Sequence, residues 1–302
     1  METDSNQDSK KISPVVLILL DGWGIAPFSV TNAFADGKWP NLKEYLQQYP
    51  LAALTTSGNL DFSAKEAYNQ IGSGQDGQAI PGLGSIIKQT GLAELIDRAG
   101  LSQSYVSETE KFPLLVDCLA EGFRSPKIKY HLISTPLNND YLEQPLGATQ
   151  QVIERAIHCW HEDRPDFLVV SLAAWSSPAL YGNQSATIKA VDLLDKLLPK
   201  LIEPLQQSGA TILLTSAYGR LENLIDPLTE QINYGPSNNP VPLSIIGRLW
   251  QGQSLGEIEV ITDDLSLLPI SGSLRSIAPT ILALLGIERP NYLEKPLLPT
   301  GV

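Results

Sequence analysis

Short apolar runs alternate with longer helical patterns along the chain, and this alternation limits the possible folds more than any other feature. Runs such as Val15–Leu20 and Phe167–Leu172 are typical of buried strands, whereas residues 186–207 have the spacing of a long amphipathic helix. Strands and helices in such alternation form βαβ units, so we predict an α/β protein with a mostly parallel sheet covered on both faces. The pattern predicts further strands at Leu51–Thr55, Leu114–Leu119, residues 130–134, Thr211–Thr215 and residues 242–246, and further helices at residues 41–48, 91–99, 148–161 and 274–285.

In a sheet of this kind the functional crevice lies beyond the carboxyl ends of the strands. Several irregular segments should converge at this edge. Any chemistry is therefore expected in residues 21–24, 57–68, 173–182, 216–222 and 226–239.

The net charge of −12 restricts the partners of the chain. Binding to nucleic acid through its phosphates, or to an anionic membrane surface, requires concentrated Lys and Arg, so neither is expected. The apolar run Val15–Leu20 is too short for a membrane span. Cys118 and Cys159 show no disulfide-framework or zinc-site spacing, and a reducing cytoplasm is the expected location.

Five short motifs follow one another in the order found in a known family. They are PVVLILLDGWG at residues 14–24, IGSG at 71–74, ETEK at 108–111, NPVP at 239–242 and IAPT at 277–280. In these motifs the chain resembles the cofactor-independent phosphoglycerate mutases of the alkaline phosphatase superfamily. The resemblance implies an alkaline-phosphatase-like three-layer sandwich, formed as a single domain by residues 14–302 after a flexible N-terminus at residues 1–13.

The resemblance also implies a transferase domain, which the family inserts between the glycine-rich motif and ETEK. Only residues 75–107 separate these motifs here, fewer than the roughly 50 residues of a small domain. The transferase domain is therefore expected to be missing, and with it the platform that holds phosphoglycerate while the phosphoryl group leaves and returns.

The family's nucleophilic serine has no counterpart in this sequence. Its position falls on Ala64, and the neighbouring Ser63 is interpreted as an ordinary loop serine. Lys111 matches a family lysine that faces the phosphate, so Lys111 and Arg220 are candidates for binding an anion. The alternative role of Lys111 is a salt bridge to an acidic neighbour, Glu110 or Asp21.

Most of the family's metal ligands are replaced as well. The resemblance implies two manganese or magnesium ions, which need carboxylate and imidazole ligands. Asp21 is the retained ligand position, and the lost positions carry Ser176, Leu180, Ala217, Tyr218 and Pro236. No metal cofactor is therefore expected.

The histidines suggest no other metal site. His158 and His161 flank Cys159 with a spacing that permits a metal ion, but no third ligand is evident, and a helix end explains them more simply. His131 is predicted to be a packing residue of a strand.

The leading hypothesis is a non-catalytic homologue of the mutases that acts as a binding or regulatory module for a protein partner. The alternative is a metal-dependent phosphoesterase or mutase-like enzyme with an altered site, and a third hypothesis is a pseudo-site that binds a small anion. Apolar residues mark a candidate docking surface at the old site. Within it, Leu180 and Ala217 are expected to be buried, and Trp175 and Tyr234 to be partly exposed.

Overall fold

The computed structural model describes residues 13–29, 31–56, 62–75, 89–136, 146–226, 228–255 and 264–299, so the predicted flexible N-terminus lies almost wholly outside the described residues. The strands are β1 (Val15–Leu20), β2 (Leu51–Thr55), β3 (Gln103–Glu108), β4 (Ile128–Ile133), β5 (Phe167–Leu172), β6 (Thr211–Thr215), β7 (Val241–Ile246) and β8 (Ile270–Ser273). The α-helices are α1 (Ala33–Asp36), α2 (Pro40–Gln48), α3 (Ala64–Ser73), α4 (Leu92–Arg98), α5 (Thr149–Asp163), α6 (Ser176–Leu180), α7 (Gln184–Gln207) and α8 (Ile277–Leu284).

These strands form one sheet in the order β4-β3-β5-β1-β6-β7-β2-β8. β7 is antiparallel to both of its neighbours, and the other pairings are parallel. The predicted α/β class with a mostly parallel sheet is therefore confirmed. None of the described helices combines the length and the apolar composition needed to cross a membrane.

The residues of β1 show how the layers are arranged. All of them are fully buried, and successive side chains point to opposite faces of the sheet. The even-numbered residues pack with side chains of α5 and α7 on one face, whereas the odd-numbered residues pack with α3, α4 and α8 on the other. A layer of helices on each face of the sheet gives the three-layer sandwich that was predicted.

The predicted strand at Leu114–Leu119 is wrong, because this segment is π-helical. An apolar run of only six residues does not distinguish a strand from a buried helix. The segment lies closely against α3, where a Cβ at Gly72 would come within 2.0 Å of the carbonyl oxygen of Leu119. Tertiary packing has therefore decided the conformation of this run.

β3 is a strand that apolar periodicity failed to predict. Its residues are all buried although most are polar. Their polar groups find partners locally, as when Gln103 Nε2 donates a hydrogen bond of 2.8 Å to the carbonyl oxygen of Ala93. Because β3 is parallel to β5, which is itself parallel to β1, its carboxyl end brings the ETEK motif to the same edge of the sheet as the end of β1.

The parallel strands bring candidate residues together at this edge. The carboxyl end of β1 leads into Asp21, and that of β3 leads to Lys111. Likewise, β5 leads into residues 173–175 and β6 into residues 216–218. β7 runs in the opposite direction, so residues 239–240, which precede it, reach the same edge. The crevice therefore lies where the sequence predicted it, although residues 57–61 of one contributing segment lie outside the described residues.

Candidate functional site

Asp21 is the centre of a buried polar network at the crevice. The residue is 2% exposed, and both of its carboxylate oxygens have partners. Oδ2 accepts a hydrogen bond of 2.7 Å from the Tyr68 hydroxyl and lies 3.3 Å from Lys111 Nζ. The backbone N–H of Ala217 donates to Oδ1 at 3.4 Å. The carboxylate is thus enclosed and compensated by groups of the chain itself.

Lys111 supplies the cation of this network. Its ammonium donates a hydrogen bond of 2.8 Å to the Tyr218 hydroxyl and lies 5.4 Å from the centre of that ring. Burial alone would lower the pKa of Lys111, but Tyr218 and Asp21 outweigh it, and the pKa is raised above its ordinary value. Lys111 stays charged and forms the salt bridge to Asp21 that the sequence offered as its alternative role, with Glu110 Oε1 at 3.9 Å.

Two aromatic side chains close the space around Asp21. The fully buried Tyr68 places its hydroxyl between Asp21 and the Ser171 hydroxyl, which is 3.0 Å away. Burial and the nearby carboxylate raise the pKa of Tyr68 well above its ordinary value, so it remains a hydrogen-bond donor. The indole N–H of Trp175 donates to the carbonyl oxygen of Asp21, and its ring packs edge-on against Phe34. The predicted partial exposure of Trp175 is therefore wrong, since the residue is 2% exposed.

The other replaced positions lie at different depths. Ala217 is fully buried and Tyr234 is 63% exposed, as predicted. The prediction that Leu180 is buried is wrong, because it ends the short helix α6 at the rim of the crevice and is 45% exposed. Ser176 and Pro236 are half-buried.

A buried carboxylate, that of Glu222, braces the loops of the crevice. Glu222 is 3% exposed, and burial raises its pKa although several donors act against this shift. It accepts hydrogen bonds from the backbone N–H of Arg220 at 2.8 Å, from Asn239 Nδ2 at 3.0 Å and from the Ser237 hydroxyl. Glu222 therefore joins the segment that follows β6 to the segment that precedes β7.

The two candidate anion-binding residues, Lys111 and Arg220, are both bonded within the chain. The ammonium of Lys111 is held by Asp21 and Tyr218, and the guanidinium of Arg220 donates to the backbone carbonyl of Tyr234. An anion placed against Lys111 would also face the carboxylate of Asp21. The geometry therefore does not favour the small-anion hypothesis.

The nucleophile position lies at the start of α3. Ala64 is the first residue of this helix, and the hydroxyl of Ser63 accepts a hydrogen bond of 3.2 Å from the backbone N–H of Glu66. Ser63 is thus an N-cap residue, a role that serines take because their hydroxyl satisfies a free N–H of the first turn. This supports its interpretation as an ordinary structural serine.

Glu108, at the end of β3, is a second buried carboxyl group near the crevice. It is 2% exposed, and the Thr149 hydroxyl donates to it at 3.4 Å. Burial raises the pKa of Glu108 to about 7, partly offset by hydrogen bonds from Ala148 and Thr149. The protonated form is therefore favoured in the folded state more than in the unfolded chain.

We expect Glu108 to make stability fall as the pH rises. A carboxyl group whose folded-state pKa is raised from 4.5 to about 7 stabilises the fold fully below pH 4.5, and this contribution is lost as the pH rises through 7. The loss should be at most roughly 3 kcal/mol. The free energy of unfolding, measured with denaturant, should fall more between pH 5 and pH 8 in the natural chain than in Glu108→Gln, because the contribution of Glu222, whose pKa burial also raises, remains in both proteins. The exposed Glu154→Gln is the control, and equal pH dependence in all three proteins would contradict the expectation.

The chain is similar in sequence to known proteins over most of its length. Residues 13–289 match the family model described as the Metalloenzyme superfamily. The 2,3-bisphosphoglycerate-independent phosphoglycerate mutase of Clostridioides difficile (strain 630) is 28% identical over 201 residues, which are 66% of this chain and 37% of that protein. The chain thus spans little more than a third of that relative's length.

Solved structures are similar to this chain in fold. A phosphoglycerate mutase of Leishmania mexicana is similar with a TM-score of 0.58 and 18% identity, covering 70% of this chain and 39% of that chain. The alkaline phosphatase of the Antarctic bacterium TAB5 has a TM-score of 0.56 and 13% identity, covering 92% of this chain and 99% of that chain. At these identities the similarity shows the fold alone, and it confirms the predicted alkaline-phosphatase-like architecture.

The prediction that no metal cofactor is expected is wrong. The matches to a superfamily of metalloenzymes and to mutases point to metal ions as cofactors of the homologues. The prediction was based on the replaced ligands at the Asp21 site. The loss of ligands at one site does not exclude metal binding by other residues of the chain.

The residues around Asp21 nevertheless do not fit the pair of ions that the resemblance implied. Both carboxylate oxygens are already engaged, and the Lys111 ammonium at 3.3 Å would repel a divalent cation. Ala217, Leu180 and Pro236 have no side-chain lone pair with which to replace a lost ligand. Side chains that could bind a metal ion must therefore lie outside the Asp21 network.

Proposed function

The chain belongs to the Metalloenzyme superfamily, and from this premise we propose that it is a non-catalytic homologue of the phosphoglycerate mutases that acts as a binding or regulatory module. The observation that carries the proposal is the closed network in which Tyr68, Lys111 and the backbone of Ala217 occupy the carboxylate of Asp21. A transferring phosphoryl group needs charge compensation that is open to it, and here the cation is already neutralised.

The missing nucleophile supports the same proposal. Covalent phosphoryl transfer needs a hydroxyl that a base or a metal ion activates. Ala64 has only a methyl group at the expected position, and the hydroxyl of Ser63 is used to cap α3. A phosphoenzyme intermediate therefore has no evident attachment point in this part of the chain.

The short interval between the glycine-rich motif and the ETEK motif supports it as well. A mutase must retain its substrate while the phosphoryl group leaves and returns. In the mutase family that the sequence resembles, the transferase domain holds the substrate. Residues 75–107 leave too little room for such a domain.

A metal-dependent phosphoesterase with an altered site is the second candidate function. The superfamily match and the retained Asp21 favour it. It would require Lys111 to leave Asp21, so that the carboxylate became free to bind an ion. Catalytic turnover that depends on Asp21 distinguishes this candidate from the first.

The binding surface that we propose lies at the rim of the crevice. We define the mouth surface as four exposed apolar or aromatic residues: Leu180 (45% exposed), Tyr181 (58%), Leu228 (93%) and Tyr234 (63%). The segments that carry them are in contact, because a Cβ at Gly182 would lie 2.5 Å from the side chain of Ile232. Exposed tyrosines near a concave site are frequent anchors in protein interfaces, and the partner we propose is a protein that presents an apolar side chain to them.

Replacing both Tyr181 and Tyr234 with serine should weaken the complex with such a partner. Loss of two aromatic anchors should lower the recovery of partner by about tenfold or more. The free energy of unfolding should change by less than about 0.5 kcal/mol, because both side chains are exposed. The measurement is quantitative affinity purification from cells in which the chain replaces its natural copy, together with denaturant unfolding.

A variant with Leu249→Ser and Leu267→Ser is the matched control. These leucines are 71% and 64% exposed, but they lie after β7 and before β8, at the opposite edge of the sheet. The control should recover the same proteins as the natural chain. Equal recovery by both variants, or equal loss in both, would remove the support for a partner at the mouth surface.

A further inference from the structure

A second cluster of metal-ligating side chains lies outside the crevice. Among the described residues, His131, Cys159 and Asp163 form a group in which one ligand atom of each lies within 4.8 Å of the others. His131 comes from β4, and the other two come from α5, which packs against β4. None of the three belongs to the Asp21 network, so this cluster stands independently of the proposed function.

The spacing on α5 brings two ligands to one face of the helix. Cys159 and Asp163 are four residues apart, which places their side chains one above the other. Cys159 is 1% exposed, and the side chains of His131 and Asp163 are 10% and 18% exposed. The sequence paired Cys159 with His158 and His161, but His158 is instead exposed and paired with Glu162 at 3.0 Å. The third ligand, His131, comes from β4. The sequence pattern of α5 alone could not indicate a ligand on another element.

An unsatisfied nitrogen atom points into the cluster. His131 Nε2 is buried and forms no hydrogen bond, although Asp163 Oδ2 lies 3.3 Å away. A buried nitrogen that forms no hydrogen bond costs free energy unless another group or an ion satisfies it.

Two cations border the cluster and determine how an ion would be accommodated. Lys129 Nζ lies 2.5 Å from Asp163 Oδ1 and leaves Oδ2 facing the ring of His131. Unlike the buried Lys111, whose side chain is 7% exposed, Lys129 is 57% exposed and can turn into solvent when an ion binds. Arg155 Nη2 lies 2.8 Å from His131 Nδ1. A metal ion on Nε2 requires the proton of the neutral ring to reside on Nδ1, so the half-buried Arg155 must turn away from the ring.

We propose that His131, Cys159 and Asp163 bind one zinc ion, with water in the fourth position. Zinc accepts this mixture of nitrogen, sulfur and oxygen ligands in tetrahedral sites. Binding releases the thiol proton of Cys159 to solvent, and the thiolate and carboxylate together balance the charge of the ion. No electron transfer is involved. The ion would satisfy the buried nitrogen of His131 and tie β4, an edge strand, to α5.

Cobalt substitution tests the site directly, because a cobalt–thiolate bond gives a charge-transfer absorption that carboxylate and imidazole ligands do not give. Titration of the full chain with Co²⁺ should produce this band at one ion per chain, and added Zn²⁺ should abolish it. Cys159→Ala and Asp163→Asn should lose the band or weaken cobalt binding by at least about tenfold. Cys118→Ala, at the other buried cysteine, should keep it.

Two further variants separate this proposal from its competitors. Asp21→Asn, measured at a temperature at which it is folded, should leave both the band and the amount of bound cobalt unchanged, whereas a metal ion held at the crevice would be lost with Asp21. Arg155→Gln should tighten cobalt binding, on the order of tenfold, because it removes the donor that competes for the ring of His131. Absence of a thiolate band in the folded natural chain, or a band that survives Cys159→Ala, would overturn the proposal, as would weaker binding by Arg155→Gln.

Discussion

Replacing Lys111 with methionine should destabilise the fold by about 3 to 5 kcal/mol, because it leaves the carboxylate of Asp21 buried without its cation. The ammonium lies 3.3 Å from Asp21 Oδ2, and the two side chains are 7% and 0% exposed. Asp21→Asn should have a comparable effect for the opposite reason, since it leaves a buried ammonium unpaired. Denaturant unfolding at neutral pH measures both changes.

The double variant shows whether the two residues act as a pair. Asp21→Asn together with Lys111→Met removes both charges, so it should be clearly more stable than the sum of the single changes predicts, with a coupling free energy of roughly 1 to 3 kcal/mol. The exposed pair Arg98–Glu94, whose side chains are 62% and 34% exposed, should give a coupling below about 0.5 kcal/mol. Additive effects of Asp21 and Lys111 would show that the crevice is not held by this ion pair.

Trp175→Ala should also destabilise the protein by about 3 to 5 kcal/mol, the range for deletion of a large buried side chain. The residue is 2% exposed, packs edge-on against Phe34 at 6.2 Å and donates its N–H to the carbonyl of Asp21. Trp175→Phe keeps most of the packing and loses the hydrogen bond, so a smaller loss of about 1 to 3 kcal/mol is expected.

Tyr234→Ala is the matched control for this prediction. The residue is 63% exposed, and its removal should change the free energy of unfolding by less than about 0.5 kcal/mol. Equal effects at the two positions would mean that Trp175 is not part of the core. In that case Trp175 would again become a candidate for the docking surface that the sequence predicted at the old site.

The strands and long helices could be predicted because their apolar residues form either a short run or a clear helical period. β1 and β5 are apolar runs buried on both faces of the sheet, and α7 repeats with the helical period. β3 was missed because polar residues interrupt its apolar run, and Leu114–Leu119 was misassigned because a short run is ambiguous. Local pattern therefore identified the elements that are apolar and long, and tertiary contacts determined the rest.

The crevice was predictable in position but not in its contacts. The end of β1 placed Asp21 correctly, and the ETEK motif placed Lys111 near it. Tyr68 was missed as a partner of Asp21, because the sequence analysis placed residues 57–68 in an irregular segment, whereas Tyr68 lies in α3. The sequence could not show that a buried hydroxyl would reach a carboxylate on another element 47 residues away.

The most direct measurement of the central claim is steady-state turnover of phosphoglycerate and of a general phosphomonoester, with Mn²⁺, Mg²⁺ or Zn²⁺ supplied in turn. The purified natural chain and its Asp21→Asn variant are compared below the unfolding temperature of both. If the closed network around Asp21 leaves no catalytic site, the two proteins should show the same background rate with every ion. A metal-dependent rate in the natural chain that is lost in the folded Asp21→Asn variant would contradict the proposal and establish an enzyme.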